Sequence, residues 1–183
     1  MLFTPTPLAG AWLIELERHT DERGSFARTF CAREFAEHGL PRDFPQTSLS
    51  SNTRPGTLRG LHYNRTPDEE AKVVRCVRGA MFDVIVDVRV DSATRWQWFG
   101  VDLSADSGRA LFVPAGFAHG FLTTEPKTDV LYQISDFFTP DAGRGIRWDD
   151  PALGIRWPSR PRVISARDAE YEDVAPATFD LSA

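Results

Sequence analysis

Four histidines stand in the chain, and two keep company suited to proton transfer. His62 lies in Leu58-Arg59-Gly60-Leu61-His62-Tyr63, and His119 follows Pro114-Ala115-Gly116-Phe117-Ala118. An imidazole titrates near pH ~6.5, so a histidine three residues after an arginine sets a base beside an anion-binding group. A lone histidine is ordinarily a hydrogen-bonded core or surface residue. That reading suits His19 and His38, whose surroundings are polar.

The run Pro114–Gly120 has the Pro-x-Gly-x-x-His spacing that resembles the second motif of cupins, in which a Pro-Gly turn feeds an inward-pointing histidine. Metal-binding cupins also carry a His-x-His pair in their first motif, and here that position reads His62-Tyr63-Asn64. The three-histidine-plus-carboxylate set therefore cannot be assembled. A reduced site from His62, His119 and Glu69 or Glu70 is the alternative to a metal-free one, which is the favoured reading.

Strands must position these groups. From Ala71 to Arg89 the chain reads as two strands around Gly79-Ala80, with Phe82, Val84, Val86 and Val88 alternating against Asp83, Ile85, Asp87 and Arg89, a half-buried β pattern. Further short strands are expected at Trp12–Glu17, Trp96–Leu103, Ala110–Val113, Gly120–Thr124 and Val130–Phe138, separated by turn chemistry such as Ser104–Gly108. Many short strands with regular turns indicate a sandwich or barrel. The one helix expected is Ala32–His38, stopped by Gly39 and Pro41. Arg144–Pro161, rich in Trp, Pro, Gly and Asp, reads as irregular chain packed over a sheet.

At 183 residues and 42% hydrophobic content, one all-β domain absorbs the length. A formal charge of −5 and a pI near 5.4 argue against a nucleic-acid binder, although converging arginines can still grip a small phosphorylated ligand. Cys31 and Cys76 are too few for a disulfide framework and read as small buried hydrophobes. The chain has no apolar run of membrane-spanning length and no leader-like N-terminus, so it is expected to be a cytoplasmic protein with no membrane partner.

Several segments together, in order, resemble the dTDP-4-dehydrorhamnose 3,5-epimerase family. They are Arg59–Tyr63, Lys72–Arg75, Phe82–Arg89, Pro114–Phe121, Gly145–Pro151 and Ile164–Asp168, and the likeness runs from Gly10 to Asp168. It implies an all-β cupin or jelly-roll β-sandwich, a double-stranded β-helix with a few short helices. Residues 1–173 would form a single epimerase domain and 174–183 a loose tail. The activity implied is epimerisation at C3 and/or C5 of a dTDP-4-keto-6-deoxy sugar, without metal or organic cofactor.

On the matching positions, the resemblance makes His62 the base that removes a proton α to the C4 ketone, oriented by Asp168. Tyr132 becomes the acid on the other face, and Lys72 the cation near the enolate oxygen. Arg59, Arg23 and Gln46 would anchor the nucleotide and pyrophosphate, with His119 and Arg167 nearby. Phe26 and Phe138 would either offer apolar faces to a pyrimidine or serve in ordinary core packing. Arg23 and Phe26 fall in a segment that resembles the family's N-terminal strand reaching into a partner subunit, which implies a homodimer with exchanged strands.

The chain departs from the family pattern at Arg28, Ser48, Gly143 and Phe137-Phe138, where Glu, Asn, Glu and Tyr-Tyr are common. By the resemblance these are ligand-holding positions rather than catalytic ones, so they bear on which sugar and base are taken and on how many centres are inverted. The competing readings are a C3-only or C5-only epimerase of another deoxysugar pathway, a metal-dependent cupin isomerase or oxygenase, and a non-catalytic sugar-nucleotide-binding cupin.

Overall fold

The alternating segment forms the strand expected of it, but with both faces covered. In the computed structural model, which describes residues 1–65 and 69–174, Met81, Asp83, Ile85 and Asp87 are buried, and so are Val84 and Val86 between them. A strand buried on both sides belongs to a layered sheet with cover on each face, not to a sheet with one wet side.

In chain order the elements are β1 (Leu2–Pro5), β2 (Trp12–Glu15), β3 (His19–Asp21), β4 (Gly24–Phe26), α1 (Ala32–Glu37), β5 (Gln46–Asn52), β6 (Leu58–Asn64) and β7 (Lys72–Arg78). They continue with β8 (Ala80–Asp87), β9 (Trp98–Ser104), β10 (Ala110–Val113), β11 (Phe117–Thr123), β12 (Thr128–Ile134), β13 (Gly143–Gly145) and α2 (Ala166–Ala169). A six-stranded sheet runs β1-β2-β10-β7-β12-β5, and a five-stranded sheet runs β13-β6-β11-β8-β9. All the pairings within them are antiparallel. β3 and β4 form a separate hairpin.

The two large sheets close on one another through Val74, Leu111, Val113 and Val130 from the first and Met81, Ile85, Leu103, Phe117 and Phe121 from the second. Each fully buried side chain of this size contributes roughly 1.5–3 kcal/mol. The outer face of the five-stranded sheet, with Leu61, Val84, Val86 and Ala118, is roofed by Ile146, Leu153, Trp157 and Val174. The irregular chain after Arg144 supplies that roof. The outer face of the other sheet takes α1, whose Phe35 is fully buried and meets Phe3, Phe30 and Phe44 edge-on. The architecture is the all-β cupin sandwich with short helices that the resemblance implies.

Element ends moved by a few residues. The helix stops at Glu37 with His38 as its cap, and Gly39 takes the left-handed φ of +70° that ends it. The last long strand is Thr128–Ile134, so Phe137 and Phe138 lie beyond it, exposed. Val174, where the tail was expected to begin, is buried, and its N–H donates to Asp150 Oδ2. Positions 175–183 lie outside the described residues. Among the described residues no helix is long and apolar enough to cross a membrane.

Candidate active site

β6 and β11 approach more closely than side chains would permit. Gly60 has φ +123°, and a Cβ placed on it would sit 2.5 Å from Gly120 Cα and 2.8 Å from the His119 carbonyl oxygen. Only glycine fits there. The approach sets His62 directly opposite His119 in the ladder, so both side chains leave the same face of the sheet.

His62 Nε2 lies 2.8 Å from Asp168 Oδ1. The carboxylate comes from α2, a four-residue helix whose N-cap Ser165 Oγ accepts the Asp168 N–H at 3.0 Å. Leu58 N donates to Val163 O at 2.8 Å, which ties the chain entering α2 to the start of β6. Asp168 Oδ2 also accepts the Gly60 N–H at 3.1 Å. Burial pushes this carboxyl up, but the hydrogen bond and charge of His62, with the Gly60 and Ser165 contacts, outweigh it and hold it below its ordinary value. An ionised Asp168 accepts the Nε2–H, which leaves the lone pair on Nδ1. With 43% of its side chain exposed, the imidazole is open to a ligand.

His119 is buried, with Nε2 2.7 Å from Asp83 Oδ1, while Asp83 Oδ2 is buried without a hydrogen-bond partner. The Tyr132 ring stands edge-on to His119, with centroids 5.9 Å apart. Tyr132 comes from β12 in the facing sheet. Burial, reinforced by the charge of Asp83 and opposed by Arg59, raises its phenol above the ordinary tyrosine value, so it stays protonated at neutral pH.

These residues line one cavity of about 280 Å³, formed by Ser48, Ser50, Arg59, His62, Glu70, Lys72, His119, Tyr132 and Ile134. Arg59 Nε donates to Asn52 Oδ1 at 2.9 Å, which fixes the guanidinium at the cavity wall. Lys72 Nζ is 3.0 Å from Glu70 Oε1, and both side chains are largely buried. The lysine is thus a held cation rather than a solvated one.

The cavity gathers His62, Tyr132, Lys72, Arg59, His119 and Ser48, with Asp168 behind the first. The remaining expected residues lie outside its lining. Arg23 and Phe26 stand exposed on the β3–β4 hairpin, where Arg23 pairs with Asp21. Gln46 Oε1 accepts the Phe138 N–H, and the Phe138 ring is exposed. The Arg167 guanidinium lies over the Tyr171 ring. Asp83, Asn52, Ser50 and the role of Ser165 had no separate signal in the sequence. Asp83 was visible only as a polar position in an alternating strand. Among the described residues no three His, Cys, Asp or Glu side chains cluster so as to hold a metal ion, and Glu70, one member of the reduced metal set, is turned to Lys72.

The model of the dTDP-4-dehydrorhamnose 3,5-epimerase family matches residues 5–175. A dTDP-4-dehydrorhamnose 3,5-epimerase from Sinorhizobium fredii is 40% identical over 182 residues, covering 98% of this chain and 93% of that one. The crystal structure of the Legionella pneumophila 3,5-epimerase in complex with dTDP-4-keto-L-rhamnose superposes with a TM-score of 0.90 at 34% identity, covering 99% of this chain and 95% of that one. A 3'-monoepimerase from Streptomyces bikiniensis in complex with dTDP-quinovose gives a TM-score of 0.86 at 34% identity, covering 94% and 88%. Sequence, fold and the paired groups of the cavity converge, and the chain belongs to the dTDP-4-dehydrorhamnose 3,5-epimerase family of isomerases.

Proposed function

We propose that the protein inverts C3 and C5 of a dTDP-4-keto-6-deoxy sugar, as a cytoplasmic homodimer. The observation that carries this reading is that the His62–Asp168 pair and Tyr132 enter one cavity from opposed sheets. Inversion needs a proton removed on one face and returned on the other, and two groups on facing layers supply that.

His62 Nδ1 takes the proton α to the ketone. The C–H electrons pass into the enolate, whose oxygen gains negative charge near Lys72. The Tyr132 hydroxyl then protonates the carbon from the other side, and exchange with solvent removes the proton from His62 and returns one to the Tyr132 phenolate before the next inversion. Arg59 grips the pyrophosphate, and His119 and Ser48 line the sugar end.

In this reading Arg23 and Phe26 serve the partner's cavity. Their hairpin is exposed and outside the cavity of its own protomer, which supports exchange between subunits. Residues 1–173 act as one catalytic unit, and the two free cysteines, Cys31 and Cys76, suit a reducing compartment.

The test is incubation with dTDP-4-keto-6-deoxyglucose in deuterated water. Deuterium at both C3 and C5 with inverted product is the expected result, and no exchange at either carbon overturns the reading. Exchange at C3 alone gives the second reading, favoured by the likeness to the 3'-monoepimerase.

A further inference from the structure

His62 has one neighbour that the reaction scheme leaves without a task. On the β13 side of β6, its ladder partner is Gly145, which has no side chain to stand beside the imidazole. The Tyr171 ring fills that place. A Cβ on Gly145 would overlap one edge of the Tyr171 ring, at Cε2, Cζ and Cδ2. The ring thus lies where a cross-strand neighbour of His62 would lie, about 4.5–5.5 Å away in an ordinary ladder.

Tyr171 is held on more than one side. It presents to the His62 ring at 75°, with centroids 6.2 Å apart. The guanidinium carbon of Arg167 stands 5.9 Å from its ring centre, within cation–π range. Its hydroxyl is buried without a hydrogen-bond partner, so the phenol oxygen is not what keeps it there. The residue follows Asp168 by three positions, so one short segment delivers both the carboxylate that accepts from His62 and the ring that flanks it.

A single hydrogen bond from Nε2 leaves an imidazole, 43% of whose side chain is exposed, free to tilt about that bond. An aromatic wall on one side removes that freedom. Resting on the reading of His62 as the base, we propose that Tyr171 is a positioning residue, a lateral stop that keeps Nδ1 aimed into the cavity while Asp168 holds Nε2. The ring performs this, not the hydroxyl.

The experiment compares Tyr171→Ala, Tyr171→Phe and Gly145→Ala in full-length protein. Turnover and deuterium washout are measured with dTDP-4-keto-6-deoxyglucose, alongside folding by circular dichroism and the His62 ring signal by NMR. Tyr171→Ala should lower kcat at least tenfold with KM within twofold, and the His62 ring resonance should lose its ring-current shift and broaden. Tyr171→Phe should keep both. Gly145→Ala, which expels the ring, should reproduce the alanine kinetics in a folded protein, and the double variant should fall no further. Wild-type kcat in folded Tyr171→Ala, or loss of activity in Tyr171→Phe equal to that in Tyr171→Ala, overturns the proposal. If the wild-type protein itself exchanges no deuterium, the reading of His62 as base fails first. An unaltered His62 signal in Tyr171→Ala sinks the positioning role alone.

Discussion

His62 and His119 are ladder partners on β6 and β11, yet they serve different carboxylates, His62 bonding to Asp168 at 2.8 Å and His119 to Asp83 at 2.7 Å. One imidazole is half open to the cavity and the other is closed in. Two neighbouring histidines are thereby given distinct environments, and the open one is the better placed to act as the proposed base.

Replacing His62 by Ala should therefore abolish exchange at both carbons. Loss of a general base costs about 10² to 10⁴ in rate. Nucleotide affinity, measured by calorimetry, should stay close to wild type. A folded variant that exchanges at the wild-type rate sinks the assignment.

Tyr132→Phe separates the two faces. Deprotonation by His62 survives, so solvent deuterium should still enter the substrate while inverted product falls steeply. NMR of the recovered sugar reads both. Equal loss of washout and inversion would place Tyr132 before or within deprotonation.

Arg59 is tied to Asn52 through Nε, and the grip on a pyrophosphate proposed for it would be shared by ground and transition states. Arg59→Ala should raise KM more than it lowers kcat. Steady-state kinetics would reverse this view by showing a fall in kcat at constant KM.

Asp168 carries a pH signature. Its folded value lies below the ordinary 3.8, so its ionised form stabilises the fold above 3.8, and that contribution is lost as pH falls through the lower folded value. The Tm gap between wild type and Asp168→Asn should thus be at its full size above 3.8 and narrow as acid is added below 3.8. A constant gap across the titration contradicts a depressed carboxyl. Turnover of Asp168→Asn should also drop, because the ring loses the ionised acceptor that selects its tautomer.

The proposed exchange of hairpins predicts complementation. Arg23→Ala and His62→Ala, each weak alone, should regain activity when co-expressed, because one site of each mixed dimer then carries neither change. With random pairing the recovery is about a quarter of wild type. If mixing recovers nothing, the hairpin serves its own protomer.

The sheets were legible in part. Gly79-Ala80 marks the turn between β7 and β8, and Ala110–Val113 is a strand end to end, because turn chemistry and apolar runs mark these places directly. β5 was not visible. Its Gln-Thr-Ser-Leu-Ser-Ser-Asn is polar because it lines the cavity from a sheet edge, so it carries no core pattern. In β8 the period was right, but Asp83 and Asp87 are buried rather than wet. Asp83 meets His119, and Asp87 meets Arg89, Ser92 and Thr94, partners that no local pattern shows. The pairing of His62 with Asp168 came only from the family resemblance, since α2 is a single turn without an apolar face.

That pairing spans 106 positions of chain, and Tyr132 reaches the same cavity from the opposite layer. Non-local closures of this kind form late, after the loop-closure entropy between them has been overcome. Turnover is consequently a stricter reporter of complete folding than strand content: a refolding chain can regain its β spectrum, and even its buried aromatics, before Ser165 starts α2 and brings Asp168 to His62. Activity should be the last signal to return and, on gentle unfolding, the first to leave.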